Sequence, residues 1–577
     1  MITEAVIFLL AIIDFVAPLS ISNRNMNVSA GGSHHSEPLV NTINGTYVGY
    51  RNDALEQDTF LGMRYAQPPI GPLRFVPPQT INEFFVGTKN ATSYLPQCLS
   101  IDLSAAGQAS EDCLGINVVR PHVSSGPLPV LVWIYGGYFS SGSANQYNMS
   151  YVVLESVKIG KPIVGVTFNY RVSGFGFMVG GESSKKGYTN NGLRDQLKAI
   201  EWVQENIEAF NGDPTHIILW GESAGAVSVA LQLASGRLNS SNIKGAMMDS
   251  GWVTTANHFG LADSKFFNDG YKNITTYLGC DKVHDSFACI QNASASDLQY
   301  AFNSENNITR DHAFNSIAVD YDYVRTVPDN MFAYDNFTKV PILIGANSDE
   351  GCYFTEKSVT NENITDYLYF LFPGLRNTTL PEILDIYEKN NTDFESPYQP
   401  AFLLNFDGYG NAFRRTSSIY GDLMYIAPKR YAAETWSNLN LTAYVYRFNL
   451  YDNNSLPETG AKHTMEIPYV FNNLDAGINT NKALTSLFPK KAYTTEVGLP
   501  VSISEVISKQ FLSFVSTLNP NNHGLKGIPY WPSYNNGSNP IRNYVFDWRG
   551  VYTEADTFRE HAIKHINSIE DTLFVGY

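Results

Sequence analysis

Six apolar runs of strand length punctuate the chain: 129–135, 163–168, 215–220, 243–249, 340–345 and 441–450. Pro129-Val130-Leu131-Val132-Trp133-Ile134-Tyr135 has almost no polar alternation, as expected of a strand covered on both faces. Between the second and third runs the period changes. Leu193, Leu197, Ile200, Val203, Ile207 and Phe210 step by four, three, three, four and three, which draws one apolar stripe along a helix. Arg194, Asp195, Lys198, Glu201 and Glu205 fall largely outside that stripe, and Asn211-Gly212-Asp213-Pro214 predicts its stop. Strands alternating with helices predict a mostly parallel central sheet flanked by helices. A short hairpin is expected around Asn44-Gly45-Thr46, and 252–334 reads as a less regular insertion packed over the strand 243–249.

The third run leads into Trp220-Gly221-Glu222-Ser223-Ala224-Gly225-Ala226, and helix formers follow over 226–234. Strand, sharp glycine-flanked turn and helix is the context in which a serine is held with its hydroxyl exposed at a helix N-terminus. Ser223 is therefore the candidate nucleophile, and Glu222 beside it a candidate for tuning the site. Ala346-Asn347-Ser348-Asp349-Glu350-Gly351 is a polar turn after another strand, where an acidic partner of a serine–histidine pair could sit.

Composition narrows the classes. The chain has 44% hydrophobic residues, enough for a large core, and no low-complexity tract. Its net charge of −16 repels phosphate backbones and anionic bilayers, which argues against nucleic-acid partners. Residues 1–22 read as a secretory signal with an apolar stretch from Ala5 to Ile13, although Glu4 and Asp14 are unusual there. That stretch is too short to cross a bilayer, so no stable membrane insertion is expected. Residues 23–37 read as a flexible mature N-terminus, and 38–577 as a single catalytic domain with insertions. Fifteen Asn-x-Ser/Thr sites, among them Asn44, Asn90, Asn148, Asn273, Asn336, Asn440 and Asn536, agree with export and glycosylation. Proximity pairs Cys98 with Cys113 and Cys280 with Cys289 as disulfides, leaving Cys352 as a small buried thiol.

In shared order the chain carries Phe60-Leu61-Gly62-Met63-Arg64-Tyr65-Ala66 with the prolines after it, Glu111-Asp112-Cys113-Leu114, and Trp133-Ile134-Tyr135-Gly136-Gly137. Asn169-Tyr170-Arg171, Gly221 to Gly225, Ser348-Asp349-Glu350-Gly351, and His463 ahead of Glu466-Ile467 complete the series. Over nearly the whole mature chain this resembles the type-B carboxylesterase/lipase family, α/β-hydrolases that include fungal lipases and cholinesterases.

The resemblance implies an α/β-hydrolase fold and a secreted serine carboxylic-ester hydrolase with Ser223 as nucleophile, Glu350 as acid and His463 as base. Asp349 is the rival acid. The order serine, acid, histidine is also what this fold requires on independent grounds. The implied oxyanion hole uses the N–H groups of Gly137, Tyr138 and Ala224, with Gly136 in support. Tyr138 departs from the commoner glycine, so either its backbone angle tolerates a side chain or the loop is rearranged. Residues 99–112, between the paired cysteines, contain no Trp, Tyr or Phe and form a short loop, which disfavours a cholinesterase and a large lid. Trp252 is a candidate pocket-lining residue with a core role as its rival. The implied substrate is a small-molecule ester or lipid, and the chemistry consumes water alone, so no metal or organic cofactor is implied. A triacylglycerol or sterol-ester lipase is the alternative on the same machinery, and a non-catalytic adhesion or storage relative the alternative of another class. Oligomeric state is not written in these patterns.

Overall fold

The structure is a computed structural model. It describes residues 37–569 apart from 102–107, 256–258, 304–305, 307, 309–313, 315, 334–335, 373, 376–378, 390–407, 451–458, 474–491, 495–499 and 535–540. The expected signal at 1–22 and nearly all of the expected N-terminal tail lie outside the described residues.

Eleven strands form one sheet: β1 Tyr50–Asn52, β2 Gln57–Arg64, β3 Gly115–Pro121, β4 Leu128–Ile134, β5 Val164–Phe168 and β6 Gly212–Glu222. Then follow β7 Ile243–Asp249, β8 Ile342–Asn347, β9 Ala443–Asn449, β10 Arg542–Asp547 and β11 Gly550–Ala555. Their spatial order is β1-β2-β3-β5-β4-β6-β7-β8-β9-β10-β11. The block from β5 through β4, β6, β7, β8 and β9 to β10 is parallel throughout. Antiparallel pairs close both edges, β1–β2–β3–β5 on one side and β10–β11 on the other. This is the α/β-hydrolase arrangement that the pattern and the resemblance anticipate, and all six apolar runs are parallel strands of its centre.

The helix α1 spans Asn191–Asn206 and continues as a 3-10 turn to Phe210. Asn211 then takes φ 63°, a left-handed cap that turns the chain directly into β6. The core around β4 and β6 is aromatic. Trp133 and Trp220 meet edge to face with centroids 4.5 Å apart, and Phe471 packs 4.9 Å from each. Burying rings of this size is the largest apolar contribution available to a residue, of order 1.5–3 kcal/mol each.

Three expectations change. The N-terminal hairpin pairs Thr42 with Gly45, so its turn is Ile43-Asn44, one residue earlier than read. The insertion over 252–334 is more regular than its sequence pattern suggests. It holds helices Lys265–Tyr277, Ser286–Gln291 and Ala295–Phe302, each started by a side chain that accepts a backbone N–H: Ser264, Asp285 and Ser294. Trp252 is fully buried, stacked on Phe332 at 4.7 Å and edge-on to Trp436 at 5.5 Å, which places it in the core. The expected disulfides Cys98–Cys113 and Cys280–Cys289 are both formed, and Cys352 is a buried free thiol. Among the described residues no helix is long and apolar enough to cross a membrane.

Candidate active site

Ser223 sits between the end of β6 and the helix α2, Ala224–Ala234, with φ 56° and ψ −125°. That backbone is strained for a residue with a side chain. The glycines around it make the turn feasible. A Cβ on Gly221 would lie 2.4 Å from the backbone of Gly225, and one on Gly225 would lie 2.0 Å from the Ile134 carbonyl oxygen. Strand, turn and neighbouring strand therefore touch through bare backbone, and the serine is left at the crest. Its N–H donates to the Asp249 carbonyl at the end of β7.

Three strand ends supply the partners. The Ser223 hydroxyl lies 2.8 Å from Nε2 of His463, and Nδ1 of that ring lies 2.6 Å from Oε2 of Glu350. Glu350 is fully buried in the turn after β8, and His463 is 2% exposed on the loop beyond β9. The other oxygen of Glu350, Oε1, accepts from the Asn347 N–H at 2.7 Å and the Ser250 hydroxyl at 2.5 Å. Asn347 Nδ2 in turn donates to the Lys462 carbonyl and to Glu466, which ties the histidine loop to the acid turn. Asp349, the rival acid, is used elsewhere: it pairs with Arg414 at 2.7 Å and accepts the Ala461 N–H at 3.1 Å. Of the other histidines, His216 faces the Val515 carbonyl and His523 the Leu525 N–H, both away from Ser223.

The imidazole is walled by rings. Tyr425 lies 4.6 Å from it, Phe354 5.1 Å and Tyr353 6.0 Å. On the remaining side Glu222 Oε1 is 3.4 Å from Nε2. Burial, and then the neighbouring Glu466, Glu350 and Asp249, push the Glu222 carboxyl well above its ordinary range. Glu466 is shifted the same way by burial and then by Glu350 and Asp249. Burial also pushes Asp249 up, to about 7, against hydrogen bonds from Tyr446 and Trp220. Carboxyl groups raised in this way hold on to their protons, so Glu222 meets the imidazole as a hydrogen-bonding dipole and not as a second full charge beside that ring.

The loop after β4 lies against this centre. A Cβ on Gly136 would be 2.7 Å from the Glu222 carbonyl and 2.9 Å from the Ser223 Cβ. Gly137 has φ 106°, and Tyr138 and Phe139 both keep left-handed angles, 60° and 56°. The question left by the sequence is answered: Tyr138 adopts a glycine-like backbone with its side chain in place. The loop is pinned by the Ser140 and Ser141 N–H groups on the Gly137 carbonyl and by the Ser173 N–H on that of Phe139. Ala224 opens α2, so its N–H has no carbonyl one turn back within the helix.

The candidate residues Ser223, Glu350, His463, Glu222, Gly136, Gly137, Tyr138 and Ala224 are thus gathered at one end of the sheet. Ser250, Asp249, Tyr353, Phe354 and Tyr425 join them without having been singled out from sequence. Ser250 and Asp249 had one signal, their place at the carboxyl end of a parallel strand, where sites of this architecture gather. Among the described residues no group of His, Cys, Asp and Glu is spaced to hold a metal ion.

Comparison with known proteins gives one consistent picture. A family model described as the carboxylesterase family matches residues 36–549. Secreted lipase 1 of Botryotinia fuckeliana is 31% identical over 93% of this chain and 94% of its own length. Lipase 4 of Diutina rugosa is 28% identical over 90% of this chain and 94% of its own. Among solved structures, EstA of Aspergillus niger superposes with a TM-score of 0.79 at 28% identity, covering 94% of this chain and all of that one.

Proposed function

Because the chain belongs to the carboxylesterase family and is a carboxylic ester hydrolase, we propose that Ser223, His463 and Glu350 are its catalytic triad. Residues 38–577 act as one catalytic unit. The observation that carries this reading is the unbroken chain of contacts from the Ser223 hydroxyl through both ring nitrogens of His463 to Glu350, at 2.8 and 2.6 Å. A serine hydroxyl is a weak nucleophile until an imidazole takes its proton, and the imidazole needs an anion on its far nitrogen to hold the productive tautomer.

The reaction runs through an acyl-enzyme. Ser223 Oγ attacks the ester carbonyl as its proton passes to His463 Nε2, and the N–H groups of Gly137, Tyr138 and Ala224 receive the oxyanion. His463 then gives the proton to the departing alcohol, and water, deprotonated by the same imidazole, releases the acid. Glu350 keeps the ring oriented and offsets its charge, while Asn347 and Ser250 hold Glu350. An organophosphonate test separates this from a non-catalytic relative: stoichiometric labelling of the wild type, abolished in Ser223→Ala, is expected. A chain that takes up no label would overturn the assignment.

A triacylglycerol or sterol-ester lipase is the second reading, favoured by relatives that carry the name lipase. The short Cys98–Cys113 loop, with a sequence separation of 15, favours an open-mouthed esterase with weak interfacial activation. A nitrophenyl-ester series of increasing acyl length decides between them, together with rate measured through the substrate's solubility limit. A sharp jump at emulsion formation would give the lipase reading the lead.

The enzyme works outside the cell. Support comes from the apolar N-terminal stretch, the two disulfides, the many glycosylation sites and a relative named as secreted. Expression of the full chain in a secreting eukaryotic host, followed by N-terminal sequencing of the medium protein, tests this; retention of Met1 inside the cell would refute it.

A further inference from the structure

Where α2 ends, a cavity of about 220 Å³ opens between Ala234-Ser235 and residues 323–331 with Asn336. Leu231 and Met331 give it an apolar side. Its other side is polar. Arg325 spends Nη2 on the carbonyls of Ala234 and Asn336, at 2.8 and 2.7 Å, and its Nε and Nη1 meet no partner among the described residues. Neither do the Thr326 hydroxyl and the Asn330 amide, both of which line the same space. Arg325 and Thr326 are partly exposed and Asn330 is exposed, so these donors are open to water or to a ligand that enters the space.

Asn336 forms the rim of this cavity and opens the sequence Asn336-Phe337-Thr338. It is exposed, and its Nδ2 has no partner among the described residues. The chain beyond it is anchored, since Phe337 is buried and the Thr338 N–H donates to the Leu233 carbonyl at 2.9 Å. The side chain therefore springs from a fixed point beside the opening. Asn44, which starts a similar triplet, is different: its Nδ2 donates to the Ile81 carbonyl at 2.9 Å, so a sugar there would break a contact of the folded hairpin.

We propose that Asn336 carries an N-linked glycan whose first N-acetylhexosamine is seated in this cavity. The proposal rests on the reading that the chain is exported. In the modification Asn336 Nδ2 displaces a polyprenyl pyrophosphate from C1 of the sugar. The C–O bond to pyrophosphate breaks as the C–N bond forms, and the transferase takes up the amide proton. Once the chain has folded, the pyranose can replace the water at these walls. Its acetamide and hydroxyl oxygens accept from Arg325, its N–H and O–H groups meet Asn330 and Thr326, and its C–H face lies on Leu231 and Met331. The sugar then bridges the end of the nucleophile helix to residues 325–331.

The test uses the full chain secreted from a glycosylating eukaryotic host. Glycopeptide mass spectrometry is expected to find Asn336 occupied. Peptide-N-glycosidase on the native enzyme is expected to release the Asn336 glycan roughly ten-fold more slowly than the glycan at exposed Asn90, because cleavage must wait for local opening. Arg325→Ala should abolish that difference. Asn336→Gln should lower the Tm of the glycosylated enzyme but not of enzyme made in a bacterial host, which isolates the sugar from the side chain. An unmodified Asn336 beside occupied sites elsewhere, or release as fast as at Asn90, would overturn the proposal. A chain with no occupied site at all would overturn the export reading and this one with it.

Discussion

Tyr138 holds φ 60° in the loop that faces Ser223, a conformation that a side chain resists by about 1–2 kcal/mol. Its ring reaches toward Tyr420 and Tyr425, whose hydroxyl groups are held up first by burial and then, in part, by Tyr138. Replacing it should relieve backbone strain and open the pocket together. Tyr138→Gly is expected to keep a Tm close to the wild type while raising the ratio of tertiary-alcohol to primary-alcohol ester turnover about ten-fold, since admitting one bulky group is worth roughly 1–3 kcal/mol. Comparable wild-type rates on the two ester classes would sink the idea. At Ser223 and His463 the expectation is blunter. Either alanine variant should lose on the order of 10⁶ in kcat, and the double variant little more, because the residues act as a unit. The sharp turn at Ser223 was legible from five residues, because the glycines that make it feasible are its sequence neighbours. The part of Ser250 was not: it is a lone polar residue without a motif, and it meets Glu350 only when the loops after β7 and β8 converge.

At the scale of elements, legibility followed how local the cause is. The stripe of α1 and the runs of β4 to β9 are set by periodicity within a dozen residues, and both were readable. The segment that walls His463 was not. Helix α3, Phe413–Gly421, passes through a π-helical turn at Asp422–Ile426 into α4, Ala427–Asn438. The wider turn shifts the phase of the apolar stripe, so a search at 3.6 residues loses it. Its physical origin is Pro428, which lacks an N–H and whose ring clashes with the carbonyl four residues back in a regular helix. The turn also aims Tyr425 at the imidazole, 4.6 Å between centroids. Tyr425→Ala is expected to lower kcat about ten-fold with KM nearly unchanged, through a less well held base, and Tyr425→Phe to restore it. A matching rise in KM, or no rescue by Phe, would assign the ring to substrate binding instead. The elbow allows a harsher test. A Cβ at residue 225 would sit 2.0 Å from the Ile134 oxygen, so Gly225→Ala should destabilise by at least about 3 kcal/mol in urea denaturation, near the top of the range for single substitutions.

For the whole molecule, the sheet order was legible only as a class, because which strands become neighbours depends on contacts between residues far apart in sequence. The same distance hides the gathering of Asp249, Glu222, Glu350 and Glu466 into one buried cluster, which has a consequence for stability against pH. Asp249 is raised by burial to about 7 from 3.8. Between those values the unfolded chain gives up this proton and the folded one keeps it, so the unfolded state binds fewer protons and stability falls as pH rises. A shift of about three units corresponds to on the order of 4 kcal/mol, absent below pH about 4 and complete above about 7. Glu222 and Glu466, raised by burial and then by their acidic neighbours, act in the same direction. Other groups oppose them, His523 and Asp556 among them. His523, lowered by burial and then by Lys509, favours folding as pH rises through its range, but it is close to solvent and its effect is correspondingly screened. Asp556, held low by Arg430 and Lys429 against the desolvation of its own burial, withdraws its stabilisation only in strong acid. The balance places the maximum in mild acid. Thermal melts from pH 4 to 9 are expected to give the highest Tm near pH 5 and a fall of several degrees by pH 8. Asp249→Asn has no proton to lose at that position, so its curve should match the wild type near pH 4.5 and lie above it at pH 8. A wild-type Tm that is flat or rising from pH 5 to 8 would show that the buried carboxyl groups are ionised in the folded state at no cost to it.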